Sequence, residues 1–275
     1  MQAARGGLVI IVGAHQVRRR VTGKCDHNHT RPSAGLPPSS QPMPSNVADN
    51  IAKVRERIGR ACRASGRAES AVTLIAVSKT RVPATIRAAY AAGITDIGEN
   101  YCQEALEKIA ALADLPLTWH FIGPLQSNKT RAIAEHFAWV HSVDRLKLAQ
   151  RLAAQRPPQL PPLNICVQVN IDDEASKSGV PPSELPALLE AITALPQLRV
   201  RGLMAIPQPQ ADANRAAFIK MRALLAQQQQ RWPQLDTLSM GMSSDFDSAI
   251  EEGATLIRVG TDIFGSRVQP IEPTF

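Results

Sequence analysis

One lysine and one glycine-bearing run stand out among the residues able to do chemistry. Lys79 closes the apolar run Val72-Thr73-Leu74-Ile75-Ala76-Val77-Ser78. About 180 residues later, Arg258-Val259-Gly260-Thr261 interrupts a second apolar run with a glycine, where backbone N–H groups can gather around an anion. An amine at the mouth of a buried strand forms an imine with an aldehyde, and a second strand end suited to phosphate implies a phosphorylated aldehyde. That pairing points toward pyridoxal phosphate (PLP). A single lysine after a strand is most often a solvated surface residue, so the elements around it must decide.

Those elements alternate. From Ser45 onward, Val47, Ile51, Val54, Ile58 and Cys62 recur at three- and four-residue steps, the pattern of an amphipathic helix ahead of the first strand. Eight apolar or β-branched runs follow, at 71–78, 95–99, 118–122, 138–143, 164–171, 199–206, 236–242 and 255–264. Helical patterns lie between them at 84–92, 102–113, 128–136, 144–154, 183–194, 212–230 and 245–252. Repeated β then α implies parallel strands joined by helical crossovers, and eight units match an α/β fold of the (β/α)8 TIM-type barrel with an extra N-terminal helix. An open doubly wound sheet is the alternative that the same alternation permits. Pro83 suits a helix entry, Asp212 and Ser183 suit N-caps, and Gly93 and Gly253 suit the left-handed position after a helix.

In a barrel the chemistry belongs at the C-terminal ends of the strands, with phosphate often at the last two loops. Unusual residues gather there: Lys79, Glu99-Asn100, Gly123-Pro124, Asn170, Met204, Pro207, Ser243 and Gly260-Thr261. Each has a plainer explanation, Gly260 as a strand breaker, Ser243 and Ser244 as helix caps, Asn100 as a turn residue. Arg258 is harder to dismiss. Within Leu256-Ile257-Arg258-Val259 a buried guanidinium costs several kcal/mol unless it is hydrogen-bonded to something specific.

Composition narrows the classes. The chain has 275 residues, 44% hydrophobic, enough for one sizeable core, with residues 45–275 as the barrel. Its net charge of +7 is concentrated at the start, where residues 1–42 carry six basic residues against Asp26, leaving +2 for the remainder. With 4% aromatic content, that body offers neither a basic face nor a stacking platform for nucleic acid. Cys25, Cys62, Cys102 and Cys166 show no metal or disulfide spacing, which fits a reducing cytoplasm. Gly7 to Ala14 is too short to span a bilayer, so no membrane partner is expected. Residues 1–44, rich in Pro, Ser and Gly from Pro32 to Pro44, read as a disordered tail, or as an extension upstream of a natural start at Met43.

Seven segments in order, LIAVSKT (74–80), GENYCQE (98–104), WHFIGPLQSNK (119–129), VNIDDEASKSG (170–179), RGLMAIP (201–207), SMGMSSDF (239–246) and IRVGTDIFGSR (257–267), resemble the pyridoxal phosphate homeostasis proteins, relatives of the N-terminal barrel of alanine racemase. The resemblance runs from about residue 45 to 268. Cys102 and Phe246 are small departures within it, and residues 1–44 have no counterpart.

The resemblance implies that Lys79 holds PLP as an imine. Ser243, Gly260 and Thr261 would bind the phosphate, Arg258 would face the pyridine nitrogen, and Asn100 and Met240 would line the pocket. It further implies a protein that buffers PLP or hands it to PLP-dependent apo-enzymes, maintaining vitamin B6 and amino-acid homeostasis without efficient turnover. A guanidinium keeps its protons, so it leaves the pyridine unprotonated and a poor electron sink. Barrel racemases add a tyrosine from a second domain, whereas this sequence ends at Phe275 and its Tyr90 and Tyr101 lie on or beside early helices. A monomer is the expectation that follows. Lys129 and Lys177 are further candidates for aldehyde or phosphate contact. The competing readings are a PLP-dependent racemase with His120 or His141 as the opposing base, a cofactor-free Schiff-base aldolase, and a metal hydrolase using Glu99, His120 and His141.

Overall fold

Apolar residues at helical spacing build the first element, α1 (Val47–Ala64), and Val47, Ile51, Val54, Ile58 and Cys62 form its buried face. Burying each such aliphatic side chain is worth roughly 1.5–3 kcal/mol, which is what holds the helix to the body. The structure, a computed structural model, describes residues 47–172, 178–207 and 211–266. Residues 1–44 and Lys177 lie outside them.

After α1 the chain alternates without exception: β1 (Thr73–Val77), α2 (Pro83–Ala91), β2 (Asp96–Glu99), α3 (Cys102–Ala111), β3 (Thr118–Phe121), α4 (Thr130–His136), β4 (Trp139–Val143), α5 (Leu146–Gln155) and β5 (Leu163–Gln168). Then follow α6 (Leu185–Thr193), β6 (Leu198–Met204), α7 (Ala211–Gln229), β7 (Thr237–Ser239), α8 (Phe246–Glu251), β8 (Leu256–Val259) and α9 (Thr261–Phe264). The eight strands close in sequence order. Closure is made by β8 returning to β1 in parallel, Thr73 opposite Leu256 through Ala76 opposite Val259, and this excludes the open sheet. Strands buried on both faces are nearly continuous apolar runs, which is why all eight were readable.

Local expectations fared unevenly. Pro83 occupies the first turn of α2. Gly93 (φ +83°) and Gly253 (φ +97°) follow α2 and α8 in the left-handed region, and in both the next residue's N–H reaches back to a helix carbonyl, Ile94 to Ala89 and Ala254 to Ala249. Ser183 and Asp212 are not caps: α6 starts after Glu184, and Asp212 lies inside α7. The run at 255–264 is not one strand. It breaks at Gly260, and its apolar continuation through Ile263 and Phe264 is the short helix α9. Among the described residues no helix is long and apolar enough to cross a membrane, and no group of three or more His, Cys, Asp or Glu could hold a metal ion.

Candidate cofactor-binding site

At the C-terminal ends of the strands lies a cavity of about 610 Å³. Lys79, Asn100, Ser243, Arg258, Gly260 and Thr261 all line it, so six residues scattered over 182 positions of sequence meet in one space. Met240 does not line it. It is fully buried in the core, and Met242 and Ile206 supply the apolar wall instead. The reason is that β7 ends at Ser239, so in-and-out alternation cannot be extended to Met240. Lys129 and Asn170 are not among the lining residues either.

Lys79 sits in a turn closed by the Arg81 N–H donating to Ser78 O at 2.9 Å. The next residue, Thr80, has φ +64°, a left-handed value that a β-branched residue adopts only under constraint, at a cost of about 1–3 kcal/mol. The constraint comes from behind the sheet. The buried Lys108 ammonium on α3 donates to Ser78 O at 2.6 Å, to Glu99 at 2.7 Å and to Glu104 at 2.6 Å. Ser78 Oγ donates to the same Glu99 carboxylate at 2.5 Å, and the Thr80 N–H donates to Glu104 at 2.5 Å. The residues on either side of Lys79 are thus both tied to one ion cluster. Burial pushes the Glu99 carboxyl up, against the pull of Lys108 and Ser78. Sequence reasoning missed Lys108 and Glu104, whose i,i+4 spacing on α3 looks like an ordinary solvated helix face.

Another part of the lining is made by the loop before α8 and by the start of α9, which lies beside the end of β1. First-turn amides of a helix have no intrahelical acceptors, and Gly260 and Thr261, the cap and first residue of α9, both border the cavity. Both segments are held from α1. Arg57 donates to Asp262 at 2.6 Å and to Ser243 O at 3.2 Å, pairs with Asp247, and lies 4.0 Å over the Phe246 ring. Asn50 donates to Ile263 O at 3.0 Å. Asp245 accepts from the Met242 N–H and from Asn214, both at 2.7 Å, and so shapes the serine-bearing loop. Arg57 was missed because its partners lie some 190 to 205 positions away.

Arg258 forms the floor. Buried as its strand position requires, it donates from Nη1 to Ser239 Oγ at 2.6 Å and from Nη2 to Ala205 O at 3.0 Å. The specific partners expected for a guanidinium in an apolar strand are present. Burial pulls its pKa down to about 10, which leaves it charged at neutral pH. Glycine at 123 leaves room beside Asn100: a Cβ there would stand 2.1 Å from Asn100 O. Asn100 Oδ1 is buried with no hydrogen-bond partner, an acceptor available to a ligand.

An amine at one side of a cavity, helix-start amides and serines at another, and a charged guanidinium at the floor suit a small ring bearing an aldehyde and a phosphate. The family described as alanine racemase, N-terminal domain, matches residues 45–268. The chain belongs to that family. Within it, the pyridoxal phosphate homeostasis protein of Pseudomonas aeruginosa is 62% identical over 225 residues, covering 81% of this chain and 96% of the relative. The homeostasis protein of Escherichia coli K12 is 49% identical over 228 residues, covering 81% and 97%. Among solved structures, PipY of Synechococcus elongatus with PLP bound is 44% identical with a TM-score of 0.70, covering 80% of this chain and all of that one. Alanine racemase from Corynebacterium glutamicum, at 15% identity and a TM-score of 0.63, shares the fold.

Proposed function

We propose that this member of the alanine racemase N-terminal domain family binds PLP at the cavity, with Lys79 as covalent anchor, and buffers the cofactor or delivers it to PLP-dependent apo-enzymes. The observation that carries the reading is the meeting of Lys79, Arg258 and the start of α9 in one space at the strand ends. The names of the homeostasis proteins and the PLP held by PipY support the same assignment. Ser243 and the amides at Gly260 and Thr261 receive the phosphate, and the unpartnered Asn100 Oδ1 suits a ring hydroxyl.

When bound, PLP supplies an electrophilic aldehyde and an electron-withdrawing ring. Arg258 donates a hydrogen bond to the pyridine nitrogen without surrendering a proton, so the ring remains a weak electron sink. Efficient racemisation also needs a second acid/base group opposite the lysine. Among the described residues, no Tyr or His lines the cavity. His120 and His141 are buried inside the barrel with other partners, Tyr101 is exposed beside α3, and Tyr90 is on α2. These features favour a binder over a racemase. Cys62, Cys102 and Cys166 are buried free thiols, in keeping with a reducing cytoplasm, and the reading needs only a monomer.

The test is to mix PLP-loaded protein with a PLP-dependent apo-enzyme and to follow its recovered activity. In parallel, α-hydrogen exchange of added amino acids is measured in deuterated water. The expected result is reactivation without exchange beyond that caused by free PLP. Exchange that depends on Lys79 would favour a racemase instead.

A further inference from the structure

Below the cavity, inside the barrel, four polar side chains make a continuous line that the binding reading does not use. Asp96 opens β2, so it stands at the N-terminal mouth, where it also borders a second cavity of about 350 Å³. Its Oδ1 lies 3.0 Å from His120 Nε2, His120 Nδ1 lies 3.0 Å from His141 Nε2, and His141 Nδ1 lies 2.7 Å from Ser239 Oγ. Ser239 Oγ is the atom to which Arg258 Nη1 donates. β4 and β7 are not neighbours in the ring, so the His141–Ser239 bond crosses the barrel's interior. His120, His141, Ser239 and Arg258 are all buried.

The ends fix the direction. An ionised carboxylate can only accept and a guanidinium can only donate. With both imidazoles neutral, one assignment satisfies every contact: Arg258 Nη1–H to Ser239 Oγ, Ser239 O–H to His141 Nδ1, His141 Nε2–H to His120 Nδ1, and His120 Nε2–H to Asp96. All four donors point the same way. Burial pushes both histidines below their ordinary pKa, and for His141 the nearby Arg258 adds to the effect. Burial would raise the Asp96 pKa, but the hydrogen bond and electrostatic pull of His120 and the hydrogen bond from Thr95 together hold it below the usual carboxylate range. Aligned hydrogen bonds in a water-poor interior polarise one another, so the acceptor met by Arg258 is strengthened by a carboxylate at the opposite mouth.

We propose that Asp96, His120, His141 and Ser239 form a one-way hydrogen-bond train that positions Arg258, resting on the reading that Arg258 serves the ring of bound PLP. Ser239 Oγ and Ala205 O together occupy two of the five guanidinium N–H groups and set its plane. Arg258 is also among the residues that line the cavity. These residues touch no cofactor; they act through Arg258.

The first readout is made on cofactor-free protein. Nitrogen-15 NMR of labelled histidine is expected to show His120 and His141 both neutral and both protonated on Nε2. If His120 were charged, the His120–His141 and His141–Ser239 bonds would reverse and His141 would carry its proton on Nδ1, which would overturn the proposal. Asp96→Ala is expected to shift both histidines and the buried Arg258 side-chain resonance, while Asp96→Asn, which keeps an accepting oxygen, restores them. An Arg258 resonance unmoved by Asp96→Ala would also overturn it. In PLP-loaded protein, Asp96→Ala and Ser239→Ala should shift the cofactor absorption maximum and weaken PLP binding several-fold, with Asp96→Asn close to wild type. If the protein bound no PLP, the cofactor reading would fail while the NMR would still decide the train.

Discussion

The two polar regions of this barrel are built on opposite terms. In the interior train each group from Asp96 to Arg258 meets a partner within 3.0 Å, and the hydrogen bonds leave no choice of arrangement. At the cavity above it, polar groups gather around open space and Asn100 Oδ1 has no partner at all. Buried polar groups that are fully paired specify structure, whereas those left with spare capacity mark where a ligand supplies the missing bond. Arg258 belongs to both regions, held from below and available from above.

The sharpest way to break the contrast is to cut the paired region in its middle. His141→Leu leaves Ser239 and His120 each short of a partner in the interior, and unfolding in urea should show a loss on the order of 3 kcal/mol. Arg258→Met attacks the shared member: PLP affinity, followed by titration, should fall by roughly 10- to 100-fold, as expected for a hydrogen bond from a charged donor.

Acidity tests the paired region through its two histidines, while Glu99, whose carboxyl burial pushes up, works in the opposite direction. The folded-state pKa values of His120 and His141 are lowered by burial, so below the unfolded value of about 6.5 the unfolded chain takes up protons that the folded chain refuses. Their contribution is complete above that value and is lost as pH falls beneath it, by up to about 3 kcal/mol per pH unit if both titrate. The facing charges do not cancel this: Arg258 disfavours a further positive charge, and Asp96, whose own pKa is lowered, ionises below that window. Chemical denaturation of cofactor-free protein between pH 5 and 7, in roughly half-unit steps, checks the sign.

The smallest expected effect lies at the cavity rim. Thr80→Gly relieves the left-handed strain beside Lys79 and should raise stability by about 1 kcal/mol. It also frees the turn, so PLP binding should weaken modestly while stability improves, a divergence readable by thermal unfolding and titration on the same sample.

Much of this was legible in the sequence, and for identifiable reasons. Continuous apolar runs announce strands buried on both faces, and their order fixes which ends face one another; Lys79, Asn100, Ser243, Arg258, Gly260 and Thr261 follow from that. What escaped depends on distance or on parity. Met240, which the resemblance implied would line the pocket, lies one residue past the short β7 and is buried in the core, while Met242 borders the cavity. Ile263 and Phe264 prolong an apolar run although the backbone has already turned into α9. Arg57 and Lys108 look like helix-surface charges until the partners brought by the closed ring are seen. His120 and His141 were read as a possible base or metal ligands, since spacing along two strands does not reveal that they hydrogen-bond to each other.

The most direct test of the central claim is borohydride reduction of the PLP-loaded protein followed by peptide mass spectrometry, wild type beside Lys79→Ala. The account predicts one added phosphopyridoxyl group on Lys79 in the wild type, with the visible absorption band lost on reduction and absent from the variant. A label on another lysine, or a wild-type protein that takes up no PLP, would contradict it.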